Sequence, residues 1–179
     1  MRVSGATSST GRRLVVACVA LLLAACASVP PPADALSGRL AVRVDGADGV
    51  AARSLSAAFD LRGDPSRGEL GLSTPIGTMI ARARWQPGDV RLETPDGERR
   101  FADLDGMARE VLGEAVPVAA LFDWLRGRPW PGAPSSVTGA GFEQLGWTVD
   151  LGGFADGRVE AVRRAPPAVT VRARLDRAS

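Results

Sequence analysis

Histidine, lysine and tyrosine are absent from this 179-residue chain, and it contains only two cysteines. Histidine is the commonest general base and a frequent metal ligand, and lysine and cysteine are common activated nucleophiles. The acidic residues are scattered singly or in pairs among turns and strand faces. A carboxylate-pair hydrolase that cleaves glycans stays open as an alternative. We expect a binding protein rather than an enzyme, with no cofactor and no metal ion.

Basic and acidic residues are nearly equal in number. The formal net charge is +2, from 22 basic and 20 acidic residues. Arg2, Arg12 and Arg13 all precede an apolar run, and without them 19 arginines face 20 acidic residues, a net charge of −1. Because no stretch forms a basic block either, we expect no nucleic-acid partner.

A short apolar run follows Arg12 and Arg13 and ends in Leu23-Ala24-Ala25-Cys26. A positive start, about ten apolar residues and small residues before a cleavage point are typical of a secretory signal. The run is too short to span roughly 30 Å of hydrocarbon as a helix. Its end resembles a bacterial lipobox, which implies cleavage before Cys26 and acylation of the Cys26 thiol. An ordinary secreted protein and an uncleaved anchor are the alternatives.

This leader divides the chain into three predicted segments: a signal peptide at 1–25, a lipidated tether at 26–36 and one domain at 37–179. Three consecutive prolines predict an extended tether. Cys18 would leave with the leader, so no disulfide can form in the mature chain. In bacterial lipoprotein sorting, Asp after the lipidated cysteine favours inner-membrane retention. Because Ala27 stands there, we expect a lipid anchor in the outer membrane, on its periplasmic face.

Short segments of alternating hydrophobicity fill the chain from Leu40 to Phe101 and return after Gly141. Leu40, Val42 and Val44, for example, share one strand face. Turn residues separate these segments at hairpin spacing, which favours an antiparallel meander over parallel βαβ units. The later strands are predicted at Phe142–Leu151, Arg158–Arg163 and Ala168–Leu175.

Between the two groups of strands the apolar period becomes helical. Asp103 is a predicted N-cap for a helix that Gly113 ends, and Pro117 begins a second helix with Gly127 just past its end. Because both helices are short and amphipathic, they must cover the apolar face of the sheet. The pattern leaves open whether they cover a filled core or a lipid-sized hollow.

The turn Ser73-Thr74-Pro75-Ile76-Gly77-Thr78 joins two predicted strands and carries an aliphatic residue at its tip. Pro75 fixes φ, and Gly77 has no side chain with which to cover Ile76. A solvent-facing Ile76 would forgo roughly 1.5–3 kcal/mol of burial free energy. Lone apolar turn residues usually fold back into the core, and the residues alone leave that alternative open.

The domain resembles the LolB family of outer-membrane lipoproteins. The resemblance covers most of residues 38–175 and is carried by Gly38-Arg39-Leu40, Leu70 to Gly77, Trp85 to Asp89, Asp96-Gly97-Glu98, Val116 to Pro129 and Gln144 to Trp147. It implies a mainly β fold with α: an incomplete antiparallel barrel whose mid-chain helix pair acts as a lid over an apolar cavity. The sequence departs from the family in its short stretch before Gly38 and in lacking a strand tryptophan near Phe59.

The resemblance also implies a function: accepting acylated lipoproteins from the periplasmic carrier LolA and inserting them into the outer membrane. Pro75, Ile76 and Gly77 take the place of the family's membrane-insertion loop, with Ile76 as the protruding residue. The implied partners are LolA, the acyl chains of the cargo and outer-membrane lipid, and we expect a monomer. An envelope lipoprotein of the same shape that binds another apolar ligand or an assembly partner is the alternative.

Apolar side chains on the predicted strands and helices are candidates for lining the lipid cavity. Ordinary core packing is the alternative for each of them. The candidates are Leu55, Phe59, Leu70, Leu72, Met79, Trp85, Met107, Leu121 and Leu125. Trp124 and Trp147 match family positions and are candidates for anchoring the lid and the sheet. Arg82 and Arg84 form an outward basic pair, predicted as solvated charges or as contacts for lipid phosphate or an acidic carrier.

Overall fold

An antiparallel sheet of eleven strands dominates the part of the chain that the computed structural model describes, residues 35–47, 49 and 51–176. Cys26 and the predicted leader and tether up to residue 34 lie outside these residues. The strands are β1 Leu36–Val44, β2 Arg53–Gly63, β3 Gly68–Ser73, β4 Met79–Gln86, β5 Asp89–Thr94, β6 Gly97–Phe101, β7 Ser135–Val137, β8 Gly141–Gln144, β9 Trp147–Asp150, β10 Arg158–Arg163 and β11 Val169–Leu175.

The strand order is β6-β5-β4-β3-β2-β1-β11-β10-β9-β8-β7. Strands β1 to β6 form one meander and strands β7 to β11 form another, each pairing sequence neighbours, and β1 pairs with β11 to join the two meanders. Strands β6 and β7 are the two edges, so the sheet does not close into a barrel. The predicted incomplete antiparallel barrel is confirmed.

Successive side chains of a strand point to opposite faces of the sheet, so alternating apolar residues lie on one face. The register places apolar residues of neighbouring strands side by side on that face. Val42 of β1 lies between Leu55 of β2 and Val171 of β11, and Val42 and Val171 are buried. The intervening Arg43 is exposed. One face of the sheet thus carries the core, and the other carries most of the charged residues.

The first helix, α1, spans Leu104–Leu112. The Asp103 carboxylate accepts a hydrogen bond from the Gly106 N–H at 2.6 Å, which caps the helix as the sequence predicts. Gly113 ends it with φ of +78°. Leu104, Met107 and Ala108 are buried against the sheet.

The second helix, α2, spans Val118–Trp124 and follows Pro117. The Arg128 N–H donates to the Asp123 carbonyl and the Gly127 N–H donates to the Trp124 carbonyl, and Gly127 has φ of +74°. These bonds form a Schellman motif with Gly127 at the predicted position. No described helix is long and apolar enough to cross a membrane.

The helix pair lies in sequence between the two edge strands and packs on the apolar face of the sheet. Phe122 of α2 meets Trp85 of β4 edge-to-face, with ring centroids 5.5 Å apart. Trp124 contacts Phe142 and Trp147 of the second meander, at 6.4 and 5.9 Å between centroids. Helix α2 therefore bridges both halves of the sheet, which is the placement predicted for a lid.

Two details differ from the sequence prediction. Residues 142–151 were expected as one strand, but they form the hairpin β8–β9 around Leu145 and Gly146, both with positive φ. Leu145 is not a usual turn residue, so the pattern hid the turn. Strand β1 begins at Leu36, one residue before the predicted domain boundary, and the boundaries themselves stay a prediction.

Candidate functional site

The segment Thr74–Thr78 between β3 and β4 is a well-bonded turn. The Gly77 N–H donates to the Thr74 carbonyl at 2.9 Å, which places Pro75 and Ile76 at the centre of a β-turn. The Thr74 N–H donates to the Thr78 carbonyl at 2.8 Å, and the Thr78 N–H donates to Thr74 Oγ1 at 3.1 Å. Thr74 thus closes the turn from both sides and holds its tip in one conformation.

Ile76 stands at the tip of this turn with 90% of its surface exposed. The structure therefore places its side chain in solvent rather than back in the core, the alternative that the sequence left open. Gly77 has φ of +87°, and a Cβ there would meet nothing within 4 Å. Glycine is favoured here because the backbone has a positive φ, and not because a side chain would lack room. The role of Pro75, Ile76 and Gly77 in membrane insertion remains a prediction.

The nine candidate cavity residues fall into two groups. Phe59, Trp85, Met107 and Leu125 are buried in the core shared by the sheet and the helices. Five others are half-buried: Leu55, Leu70, Leu72, Met79 and Leu121. The buried four pack tightly in the present arrangement, and their participation in a lipid cavity remains a prediction.

An apolar groove runs between α1 and strands β1 and β2. It has a volume of about 310 Å³, and five apolar residues line it together with Arg53 and Ser54. The apolar residues are Val42, Val44, Leu55, Val111 and Leu112. Val111 is 45% exposed although it lies on the apolar side of α1. Leu55 belonged to the predicted lining set, whereas Val111 and Leu112 were predicted only as helix residues.

The other side of the lid is fixed by Gln144, which the sequence prediction did not single out. Its side-chain oxygen accepts hydrogen bonds from Trp124 Nε1 at 2.8 Å and from the Trp130 N–H at 2.9 Å. Its Nε2 donates to the carbonyls of Trp130 and Ala133, both at 2.7 Å. Gln144 is 3% exposed, so these bonds lie in a low-dielectric interior where losing them is costly.

Trp124 and Trp147 occupy the positions expected of anchors. Trp124 is fully buried and Trp147 is 3% exposed. Because Trp124 is tied to Gln144 of β8, α2 is held to the sheet, while the α1 side borders the apolar groove. Helix α1 is held to β6 by the Arg99–Glu110 ion pair.

The arginines near the lid and the turn have specific partners. Arg126 donates to the Phe122 carbonyl at 2.7 Å, whereas Arg128 pairs with the Asp123 carboxylate at 2.6 Å. Arg84 bonds Glu69 at 2.9 Å, which raises the pKa of its guanidinium, and Arg82 lies 3.5 Å from the same carboxylate. Among the described residues, no group of acidic, cysteine or histidine side chains is placed to hold a metal ion.

These features define a class of protein. An open antiparallel sheet, a helix pair covering its apolar face, a groove beside one helix and an exposed aliphatic turn are the parts of a lidded half-barrel suited to apolar ligands.

Comparison with known proteins identifies the family. A family model described as Outer membrane lipoprotein LolB matches residues 34–175. Outer-membrane lipoprotein LolB of Chromobacterium violaceum is 38% identical over 152 residues, which cover 77% of this chain and 81% of that protein. The protein of the same name from Bordetella petrii is 34% identical over 174 residues and 87% of each chain. The one from Bordetella pertussis is 37% identical over 145 residues, or 73% and 72%.

The chain therefore belongs to the LolB family of outer-membrane lipoproteins. The resemblance predicted from its sequence motifs is confirmed, and the names of its relatives agree with the predicted location in the outer membrane.

Proposed function

We propose that this protein accepts acylated lipoproteins from a periplasmic carrier, LolA, and inserts them into the outer membrane. The proposal assigns acceptance of the acyl chains to the lidded apolar face and insertion to the turn at Ile76. It involves no catalytic step. The protein acts as a monomer that is held at the membrane by acylation of Cys26.

The exposure of Ile76 is the observation that carries this proposal. A core residue would gain roughly 1.5–3 kcal/mol by burial, and the Thr74 hydrogen bonds instead hold Ile76 in water at 90% exposure. An aliphatic side chain on a rigid tip can recover that free energy by entering the acyl region of a bilayer. The turn is thus suited to touch a membrane rather than a protein interior.

The groove beside α1 supports the acceptance step. Acyl chains cannot cross water unshielded, because each methylene gains about 0.8 kcal/mol on burial. Val42, Val44 and Leu55 form the sheet side of the groove, and Val111 and Leu112 form its helical side. A partly open apolar groove binds a chain more weakly than a bilayer, which buries the chain on all sides. Acyl chains that enter here can therefore leave for the membrane.

A two-stage transfer assay tests the function. The full acylated protein in vesicles is mixed with the carrier loaded with a radiolabelled acylated cargo, and the cargo is followed first to the protein and then to the lipid. We expect acylated cargo to pass through both stages, whereas cargo lacking acyl chains stays in solution. Cargo that moves from the carrier to vesicles equally well without this protein would contradict the proposal.

A variant locates the acceptance step in the groove. Val111→Glu places a charge at a residue that is already 45% exposed, so the fold should tolerate it, and we expect acceptance from the carrier to fall at least about tenfold. Val137→Glu is the matched control, because Val137 is 92% exposed on the edge strand β7, away from the groove lining. If Val111→Glu and Val137→Glu accept cargo from the carrier equally well, the groove is not the acceptance site.

A further inference from the structure

Two arginines face each other without a counter-charge on the outer face of the sheet. Arg39 of β1 and Arg174 of β11 are direct cross-strand partners, and both are exposed. Among the described residues neither makes an ion pair or a side-chain hydrogen bond. Like charges directly opposite each other in a sheet are destabilising. The pair therefore carries a cost that a bound anion would remove.

Another opposed pair of arginines in the same sheet has acidic partners that offset this cost. Arg84 of β4 lies directly opposite Arg91 of β5. Arg84 has Glu69 at 2.9 Å, and Arg91 has Asp89 at 2.8 Å. The chain thus supplies acidic partners at one opposed pair and none at the Arg39–Arg174 pair.

A groove of about 500 Å³ lies beside Arg39 and Arg174. Its lining includes the small residues Ala41, Gly152 and Gly153, which leave the space open. Neither acid along it forms an ion pair with Arg39 or Arg174. Glu160 accepts from Arg172 at 2.8 Å, and Asp150 accepts from the Gly152 N–H at 2.7 Å. The guanidinium groups of Arg39 and Arg174 are therefore available to bind an anionic ligand.

The strand register places this pair close to the Ile76 turn. Arg39 pairs with Ala58 of β2, and Ala58 pairs with Ser73, the last residue of β3. At the usual strand spacing, Ser73 lies roughly 10 Å from Arg39. Arg39 is also 13 residues beyond Cys26, a stretch that spans at most roughly 45 Å. A protein anchored at Cys26 with Ile76 at the bilayer can thus bring Arg39 to the lipid headgroups.

We propose that Arg39 and Arg174 bind the phosphates of anionic phospholipid headgroups and hold the outer face of β1 and β11 against the membrane while Ile76 enters it. The proposal rests on the proposed function for the role of Ile76. Guanidinium groups suit phosphate because they donate two parallel hydrogen bonds to it. The contact fixes the orientation of the domain on the bilayer, which a single point of attachment at Cys26 would not do.

A fluorescence measurement on the full acylated protein in vesicles tests the proposal. A polarity-sensitive dye is attached to a cysteine introduced by Asp60→Cys, an exposed position on the same outer face and outside the groove beside α1, and the lipids carry a quencher on their headgroups. We expect quenching to be stronger in vesicles containing phosphatidylglycerol than in phosphatidylcholine alone. Added salt should weaken it, because salt screens exposed charges.

Double variants identify the groups responsible. Each arginine near an anionic membrane strengthens binding by about fivefold, so Arg39→Gln with Arg174→Gln should weaken the contact roughly 30-fold. Arg39→Lys with Arg174→Lys keeps the charge and should retain most of it. Arg62→Gln with Arg100→Gln is the matched control, because both residues are exposed and have no ion pair among the described residues. This control should change the contact less than twofold.

Two results would overturn the proposal: quenching that is the same with and without phosphatidylglycerol, or equal losses in the two glutamine variants. The transfer assay in the same vesicles separates this proposal from the proposed function. Cargo delivery without lipid-dependent quenching refutes the arginine contact and leaves the function standing. Lipid-dependent quenching without cargo delivery refutes the function and leaves the contact standing.

Discussion

Trp124 Nε1 donates a 2.8 Å hydrogen bond to Gln144 Oε1, and this bond ties lid helix α2 to strand β8 at a point where both side chains are buried. The same amide serves the Trp130 backbone and the Ala133 carbonyl. A single side chain thus joins the end of the lid, the proline-rich segment after it and the second meander.

Gln144→Leu should destabilise the protein strongly. It keeps the approximate volume but removes all four hydrogen bonds, leaving the Trp124 indole N–H and three backbone groups of Trp130 and Ala133 without that partner. Unsatisfied buried groups cost about 1–3 kcal/mol each, and partial rehydration limits the sum, so we expect a loss of at least about 3 kcal/mol. Urea unfolding measures the loss. Glu143→Leu, at an exposed neighbouring position, should stay within about 0.5 kcal/mol of the wild type.

The β2–β3 turn should show a pH-dependent contribution from Asp64. Its carboxylate accepts hydrogen bonds from the Ser66 hydroxyl, the Ser66 N–H and the Arg67 N–H, which lower the pKa of Asp64 below its ordinary value. Because the pKa of Asp64 is lower in the folded state than in the unfolded state, ionised Asp64 stabilises the fold. This contribution is fully present above the unfolded pKa, and it is lost as the pH falls through the folded pKa.

Asp64→Asn should therefore be less stable than the wild type at neutral pH, and the difference should vanish in acid, below the folded pKa. Urea unfolding across the acidic range checks this, and carbon NMR of the carboxyl gives the pKa directly. Asp96→Asn is the control, since Asp96 is exposed in the β5–β6 turn and makes no ion pair or hydrogen bond through its side chain among the described residues. A difference between Asp64→Asn and wild type that persists unchanged in acid would contradict the assignment.

Gly127→Ala should cost more than Gly88→Ala, although both glycines have nearly the same φ, +74° and +75°. A Cβ at Gly88 would meet nothing within 4 Å, so only the left-handed backbone conformation opposes it, at about 1 kcal/mol. A Cβ at Gly127 would lie 2.7 Å from the Phe154 ring. We expect at least about 1 kcal/mol more from the displaced ring, measured by thermal unfolding. Equal losses would show that the ring moves freely.

Much of the fold could be predicted because the local sequence signals agree with the observed strands, helix caps and turns. The alternation of Leu40, Val42 and Val44, the Asp103 cap and the glycine at position 127 each specify a local geometry that the structure retains. The β8–β9 hairpin was missed because Leu145 occupies a turn position that usually takes glycine or asparagine. Strand β7 has three exposed residues and hence no alternation to detect.

The candidate site could be predicted only in part. A pattern identifies Ile76 as an aliphatic turn residue, but it does not show which hydrogen bonds Thr74 makes within the turn or which way the Ile76 side chain points. The residues around the lid are apolar whether they line a cavity or fill a core, so Phe59 and Leu55 looked alike in sequence. Gln144 lies in a segment that carries the family resemblance, but its hydrogen bonds gave no signal, because its partners Trp124, Trp130 and Ala133 lie 11 to 20 residues away.

The most direct test of the central claim is the rate at which the full acylated protein, preloaded with labelled cargo, releases that cargo into vesicles when Ile76 is changed. Ile76→Glu should slow release at least about tenfold, because the tip loses its apolar contact and gains a charge, while loading from the carrier stays near the wild-type level. Ile76→Leu should keep release, and Val137→Glu should not alter it. Release by Ile76→Glu at the wild-type rate would contradict the account.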